Sequence, residues 1–533
     1  MKQNHKWLYY FVWLIAIMTM ITGCKEQKEE KVQDVQLSEE ELYRPNFHFT
    51  PAASWMNDPN GMFYLDGTYH LFFQYYPDDN VWGPMHWGHA TSEDMIDWEE
   101  QPIALYPDSL GYIFSGGAVV DVENTSGLGS EDQPPVIAMF TYHDPEGEKS
   151  DAIDFQYQGI AYSLDQGATW TKYDDNPVIP NPGIRDFRDP KVIWDAERSQ
   201  WVMVLAAQDK AMFYGSSNMK EWELLSEFGK DVGAHGGVWE CPDFFPMQVD
   251  GSQETRWVLL QSLNPGSANG GSGTQYFVGD FDGKSFTLDP EFVTQLETEG
   301  PQWLDFGRDN YAGVTWSNIP VQDGRKLFIG WMSNWDYAQV VPTETWRSAM
   351  TLPRELKLKR IGDAYKIFSQ VATEIENYIR VVKETASIVL DNASPEVITT
   401  SEEVDMARLA IRFELPAMES GIVSWELKNS EGEKLRMGYN ADESHFFVDR
   451  SESGKVGFSE KFAAKSSIAS YVNPGGSTVE LYLDKTSVEL FVNGGAVVMT
   501  EIFFPSKPYS ELSMNSNVAV TIENVLVSEI KTP

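Results

Sequence analysis

From Tyr43 to about Glu355 the chain repeats one pattern: a short apolar and aromatic run, then a polar turn rich in Gly, Asp, Asn and Pro. YHLFFQYYP, VIAMFTYH, QWVMVLAAQ, RWVLLQSL and KLFIGWMS are runs of this kind. None sustains the periodicity of a helix face, so the pattern predicts an all-β region. A weaker repeat runs through it. ATSEDMIDWEE, YSLDQGATWTKY, GSSNMKEWELL and GDFDGKSFTL each set a Ser or Asp turn a few residues ahead of an aromatic: Trp98, Trp170, Trp222 and Phe286. The intervals are too irregular for a solenoid but suit four-stranded blades with variable loops, and at that spacing residues 43–355 hold about five blades. The expected architecture is a five-bladed β-propeller, with a β-sandwich as its rival.

Aromatic density falls after PRELKLKRIGDAYKIFSQ, and residues 356–372 read as a linker. Alternation returns in a different style over 373–533. Its clearest hairpin is VELYLDKTSVELFVNGGAVVMTEIFF, two β runs joined by the tight-turn pair Asn493-Gly494. This region reads as a C-terminal β-sandwich. At the other end, Lys2 and Lys6 precede an apolar run from Trp7 to Ile21 and small residues before Cys24, the layout of a signal peptide. ITGC resembles a bacterial lipobox, in which the Cys becomes the lipidated first residue. Residues 1–24 are therefore expected to be a lipoprotein signal peptide, Cys24 a membrane anchor, and the Lys, Glu and Gln-rich stretch 25–42 a flexible tether.

Charge and composition narrow the function. With 80 acidic and 40 basic residues the formal charge is -40, which excludes a nucleic-acid partner, since phosphate binding needs clustered cations. It fits a soluble extracellular protein with an uncharged substrate. The 18 Trp offer faces for stacking on sugar rings, with core packing in a β-rich fold accounting for most of them. Cys241 is the only cysteine besides Cys24, so a lipidated Cys24 leaves no intrachain disulfide. The eight His are scattered, and no C-x-x-C or H-E-x-x-H occurs. His86 and His89 have ligand-like spacing but no third ligand, so no metal and no cofactor are expected.

Three carboxylates sit in unusual company. Asp58 lies in WMNDPNG, where Asn, Asp, Pro and Gly are turn formers but Trp55 and Met56 suggest a pocket wall. Asp189 lies in RDFRDPK, where an ion pair or a turn is the simpler reading. Glu240 lies in GAHGGVWECPDFF, among apolar and small residues whose burial should raise its pKa, as a general acid requires. Propeller blades converge on a central channel, which lets residues so distant in sequence meet. Sugar hydrolysis uses one carboxylate near ionised and one kept protonated, and Asp58 and Glu240 fit those roles.

WMNDPNG, FRDPK and WECPD, in that order, resemble the three signature motifs of glycoside hydrolase family 32, the invertase, inulinase and levanase group. HLFFQYYP, WGPMHWGHA, FSGGAV, GGSGTQYFVGDF, IGWMSNW, WRSAMTLPREL and DKTSVELFVNGG extend the resemblance over essentially the whole mature chain. It implies a five-bladed propeller followed by a β-sandwich. It also implies Asp58 as nucleophile, Asp189 as transition-state stabiliser, Glu240 as acid/base and Arg188 as a contact to fructosyl hydroxyls. Asn57, Gln74, Trp82, Ser115, Trp55 and Trp335 would line the pocket for the terminal fructose. Cys241 reads as packing. Two positions depart from the family pattern, Gly117 for Ser and Tyr76 for Asn, which bears on substrate preference.

The implied reaction is retaining hydrolysis of β-fructofuranosidic bonds, with the Asp58 and Glu240 carboxyls about 5 to 5.5 Å apart. IGWMSNW and NGGSGTQYFVGDF look more like levanases and exo-inulinases than invertases, so the expected substrate is a fructan such as levan or inulin, with sucrose a further candidate, and fructose is released from chain ends. An endo-levanase, an inverting glycosidase on a similar propeller, and a non-catalytic fructan-binding surface lipoprotein are the alternatives. Linkage preference, exo or endo action and oligomeric state are not legible in the residues.

Overall fold

The computed structural model describes Ser38, residues 42–392 and residues 394–532. The expected signal peptide and Cys24 lie outside them, as does the tether apart from Ser38 and Leu42. The described chain is almost entirely β, and its longest helix runs only from Pro290 to Glu299. No helix among the described residues is long and apolar enough to cross a membrane.

Five antiparallel sheets follow one another along the first part of the chain, each a meander that begins at its innermost strand. Those innermost strands are Ser54–Leu65, Tyr112–Val120, Phe187–Asp195, Val238–Gln248 and Tyr311–Thr315. This is the five-bladed propeller expected from the alternation. The ring closes where Trp346–Arg347 returns from the fifth blade and pairs in parallel with Ser54 and Trp55 of the first. Apolar clusters fill the wedges between blades.

The aromatic repeat is a local hydrogen-bonding device at the outer edge of successive blades. Ser92 Oγ accepts from Met95 N, and Trp98 Nε1 donates to Met95 O. Ser163 with Gly167 and Trp170, and Ser216 with Met219 and Trp222, repeat both bonds. In the fourth blade Asp282 accepts from Lys284 N and Ser285 N just ahead of Phe286. Each motif closes a turn and packs an aromatic, Phe286 buried and the three Trp partly so, where the outermost strand begins.

The boundary after Glu355 needs correction. Residues 356–372 are no linker: Arg354–Ile361 and Ala364–Val371 form the outer hairpin of the fifth blade. The turn of this hairpin, Gly362-Asp363, lacks the Ser and the Trp of the first three blades, and Lys357, Lys359 and Arg360 give it a charged face. The propeller thus runs to about Val371.

The remaining chain forms two six-stranded sheets whose facing side chains, Phe413, Trp425, Leu481, Leu490, Leu512 and Val527 among them, make one core. Propeller and sandwich meet through buried charges. Arg354, fully buried, reaches Asp305 at 2.9 Å and pairs with Glu489. His48 lies between Asp484 and Glu489, at 2.9 Å from each. These two acceptors overcome the desolvation of the ring and push its pKa up to about 9.

Candidate active site

All five innermost strands carry a β-bulge at the same level. In each, two residues oppose one on the neighbouring strand: Asn57-Asp58 opposite Gln74, Phe114-Ser115 opposite Thr141, Asp189-Pro190 opposite Leu205, Cys241-Pro242 opposite Gln261, and Ala312-Gly313 opposite Gly330. Bulges re-aim side chains and recur beside active sites. Asp189, Cys241 and Ala312 take left-handed backbone, with φ of 64°, 44° and 52°. Such strain is held only where the surroundings enforce it. WMNDPNG is accordingly strand with bulges rather than a turn. Its Gly61 has φ of 52°, and a Cβ there would lie 2.5 Å from the Trp87 ring.

The bulges bring the three carboxylates together. Ser115 Oγ donates to Asp58 Oδ2 at 2.7 Å, and Cys241 Sγ lies 3.4 Å from the same oxygen and 3.6 Å from Asp189 Oδ2. Asp58 Oδ1 is buried without a hydrogen-bond partner. Asp189 is held from two blades, its Oδ2 accepting from Cys241 N at 3.0 Å and its own N donating to Thr141 Oγ1 at 2.9 Å. Glu240 receives Arg188 Nη2 on Oε1 at 2.9 Å and the Tyr311 hydroxyl on Oε2. Its company is therefore polar, in contrast to the apolar setting its sequence neighbours suggest. Gln261 Nε2 fixes the Glu240 carbonyl at 2.9 Å.

Electrostatics follow from this crowding. Burial raises the Asp58 pKa, and the charge of Glu240 raises it further, while bonds from Ser115, Asn57 and Cys241 pull it back. Burial also lifts Asp189, to about 7, against the pull of Arg188 and with help from Glu240 and Asp58. Arg188, which also binds Asp186 at 2.7 Å, is the guanidinium that Glu240 and Asp189 share. Burial and the neighbouring carboxylates push Tyr311 and the Cys241 thiol well above their usual ranges, so both stay protonated donors.

The aromatics form the wall. Trp55, Met85, Cys241, Tyr311 and Trp331 are buried in one cluster, with Tyr76, Trp82, Phe114 and Trp335 partly exposed around it. Trp335 stacks on Trp55 at 5.8 Å, and Trp55 Nε1 donates to Asn57 Oδ1 at 2.7 Å. Gln74 is buried and donates to Asn60 Oδ1 at 2.9 Å. Just past the bulges, Lys191 Nζ sits 3.3 Å from Asp243, which also accepts from Thr315 Oγ1 at 2.7 Å, and this plug ties three blades together. A cavity of about 640 Å³ beneath the plug is lined by Trp194, Trp201 and Trp316 and holds none of the three carboxylates. Of the two departures, Gly117 faces the Lys191 stem within the plug, whereas Tyr76 lies at the rim.

Sequence reasoning missed Tyr311, Thr141 and Gln261 and gave Cys241 only a packing role. Tyr311 stands one residue before its bulge, as Arg188 and Glu240 do before theirs, but that equivalence exists only once the strands are paired.

Acidic side chains converging with an arginine at an aromatic-walled channel define a site of the carbohydrate-hydrolase class. Within that class the chain belongs to glycosyl hydrolases family 32: the family's N-terminal domain matches residues 48–370 and its C-terminal domain residues 374–529. It is 44% identical to a levanase of Bacillus subtilis over 92% of this chain and 71% of the relative. To an extracellular exo-inulinase of Aspergillus ficuum it is 40% identical, over 87% of this chain and 90% of the relative. Among solved structures, exo-inulinase from Aspergillus awamori superposes with a TM-score of 0.83 at 36% identity, covering 93% of this chain and all of that one.

Proposed function

We propose that this protein is a retaining fructan β-fructosidase that releases fructose from the ends of levan or inulin chains. Family membership and the levanase and exo-inulinase relatives support fructan hydrolysis. The observation that carries the mechanism is Asp58: one oxygen is fixed by Ser115 and the other is buried and unpartnered, on the floor it shares with Glu240.

Asp58 Oδ1 attacks the anomeric C2 of the terminal fructosyl unit while Glu240 gives its proton to the departing glycosidic oxygen. A covalent fructosyl intermediate results. Water, losing a proton to Glu240, then attacks C2, releases fructose and restores the Asp58 carboxylate. Burial, with the charges of Glu240 and Asp58, lifts Asp189 to about 7, so the cluster carries a proton on Asp189 near neutrality. Sugar hydroxyls donated to Asp189 favour its ionised form and release that proton into the site. The same bonds tighten as oxocarbenium character develops, which makes them catalytic. Asn57, Gln74, Trp55, Trp82, Ser115, Arg188 and Trp335 grip and shape the terminal-fructose subsite.

The signal peptide and a lipid on Cys24 would hold the enzyme at the cell envelope, facing polymers too large to import. Radiolabelled palmitate incorporated by the native chain and lost in C24A checks this. For the reaction, the soluble chain from Lys25 onward is incubated with levan, inulin and sucrose, and early products are chromatographed. Fructose alone supports exo action, and a ladder of oligosaccharides replaces it with endo action. An E240Q variant that releases sugar from levan at the native rate overturns the assignment of Glu240.

A further inference from the structure

The acid/base end of the site hangs on two short segments of the fifth blade, and one side chain of the sandwich grips both. Arg450, on the sandwich strand His445–Glu452, is buried. Its Nη1 lies 2.6 Å from Asp309 Oδ2, and its Nη2 donates to the Tyr337 hydroxyl at 2.7 Å. That hydroxyl in turn donates to Asp309 Oδ1 at 2.7 Å, closing a triangle. The rest of the guanidinium is spent on the carbonyls of Phe462 and Ile502, at 2.9 and 3.0 Å, with the Glu501 carboxylate 2.9 Å away as a charge partner and the Phe462 ring packed under it at 4.0 Å. So saturated a fork has one geometry.

Each gripped residue stands two positions from a residue of the pocket. Beyond Asp309 comes Tyr311, whose hydroxyl binds Glu240. Before Tyr337 comes Trp335, which stacks on Trp55 beside the Asp58 bulge. The intervening Asp336 is held by Arg308 at 3.2 Å and by Lys461 of the sandwich at 2.6 Å.

We infer that Arg450 is a positioning residue for catalysis: it sets Tyr311 against Glu240 and Trp335 against Trp55, so the sandwich takes part in aligning the propeller's active site. The inference rests on the roles proposed above for Glu240 and Asp58.

The test compares R450M, R450K and Y337F in the full chain with H48Q, which disturbs the propeller–sandwich contact away from both segments. Thermal midpoints are measured, then kcat, KM and the pH profile of kcat/KM on levan well below every midpoint. R450M is expected to lose kcat/KM by about 10- to 100-fold, as small misplacements of catalytic groups do. Its KM rises as Trp335 loosens. Its alkaline limb moves to higher pH, because a hydroxyl donated to a carboxylate favours the ionised form and that bond is weakened. R450K recovers part of the loss, Y337F moves the same parameters less, and H48Q lowers the midpoint alone. Native kcat, KM and limb in both R450M and Y337F overturn the inference, as does an H48Q variant with the same kinetic changes. If R450M does not fold, Y337F, which removes one hydroxyl, decides. D58N and E240Q run alongside: retained activity there overturns the site assignment itself, whereas their loss with an unaffected R450M overturns only the role of Arg450.

Discussion

Replacing Ser115 by alanine removes the donor 2.7 Å from Asp58 Oδ2 and leaves the Cys241 thiol, a weak donor, at that oxygen. In the proposed mechanism Asp58 must be ionised to attack. Burial and the charge of Glu240 already raise its pKa, and Ser115 is the first of the hydrogen bonds that oppose them. Losing that bond therefore raises the pKa further, and the acid limb of the rate profile moves to higher pH. A hydrogen bond to a charged group is worth about 1.5 to 3 kcal/mol, and a pH unit corresponds to about 1.4 kcal/mol, so the limb moves by about 1 to 2 units. The assay is kcat/KM on sucrose and levan across the acid and neutral range by fructose release, with thermal midpoints showing that the variant is folded. At pH above the acid limbs of both proteins and below the alkaline limb, S115A regains much of its activity, because Asp58 is ionised there in either protein. An acid limb that stays in place, or moves down, refutes the reasoning that Ser115 holds Asp58 in its charged form.

Methanol offered as acceptor should yield methyl β-fructofuranoside, the retained anomer, by NMR; the α anomer refutes Asp58 as nucleophile. His48, with a folded pKa of about 9 against an ordinary 6.5, contributes stability that is complete below about 6.5 and is lost as pH rises through 9. That amounts to roughly 3 kcal/mol, and H48Q should flatten the fall of the thermal midpoint over this window. A propeller expressed alone, residues 43–372, should fail to give a cooperative melting transition. It would lose the Asp309–Arg450 and Arg354–Glu489 pairs and bare to water the apolar side chains, Met332, Tyr337 and Trp346 among them, that pack against Phe462, Ile502 and Phe504 of the sandwich.

What was legible in the sequence is what depends on neighbours along the chain. The blade repeat could be read because the Ser turn and its Trp bond each other within a few residues, as Ser216, Met219 and Trp222 do. Asp58 and Glu240 stood out by their local settings and Asp189 by its company with them, and the structure puts Asp58 and Asp189 at the Cys241 thiol and Asp189 and Glu240 at Arg188. The bulges were not legible, because a bulge is a property of two paired strands; WMNDPNG taken alone reads as a turn. The fifth blade's outer hairpin was lost for want of the local mark the others carry. The partners of Arg450, Asp309 and Tyr337, lie more than a hundred residues away, and no spacing rule connects them.

A strand shows alternate side chains to alternate faces, so one surplus residue reverses the facing of everything beyond it. With a bulge at one height in every innermost strand, the ring changes phase as a whole at the level of the carboxylates. Below that level the strands are a foundation, closed by Lys191, Asp243 and Thr315; above it they are a set of mountings whose facing is fixed independently. New chemistry can be installed on those mountings by exchanging one side chain for another. A change of even one residue in chain length there, such as loss of Pro190, would swing Arg188 and Asp189 to the wrong face while leaving the foundation intact.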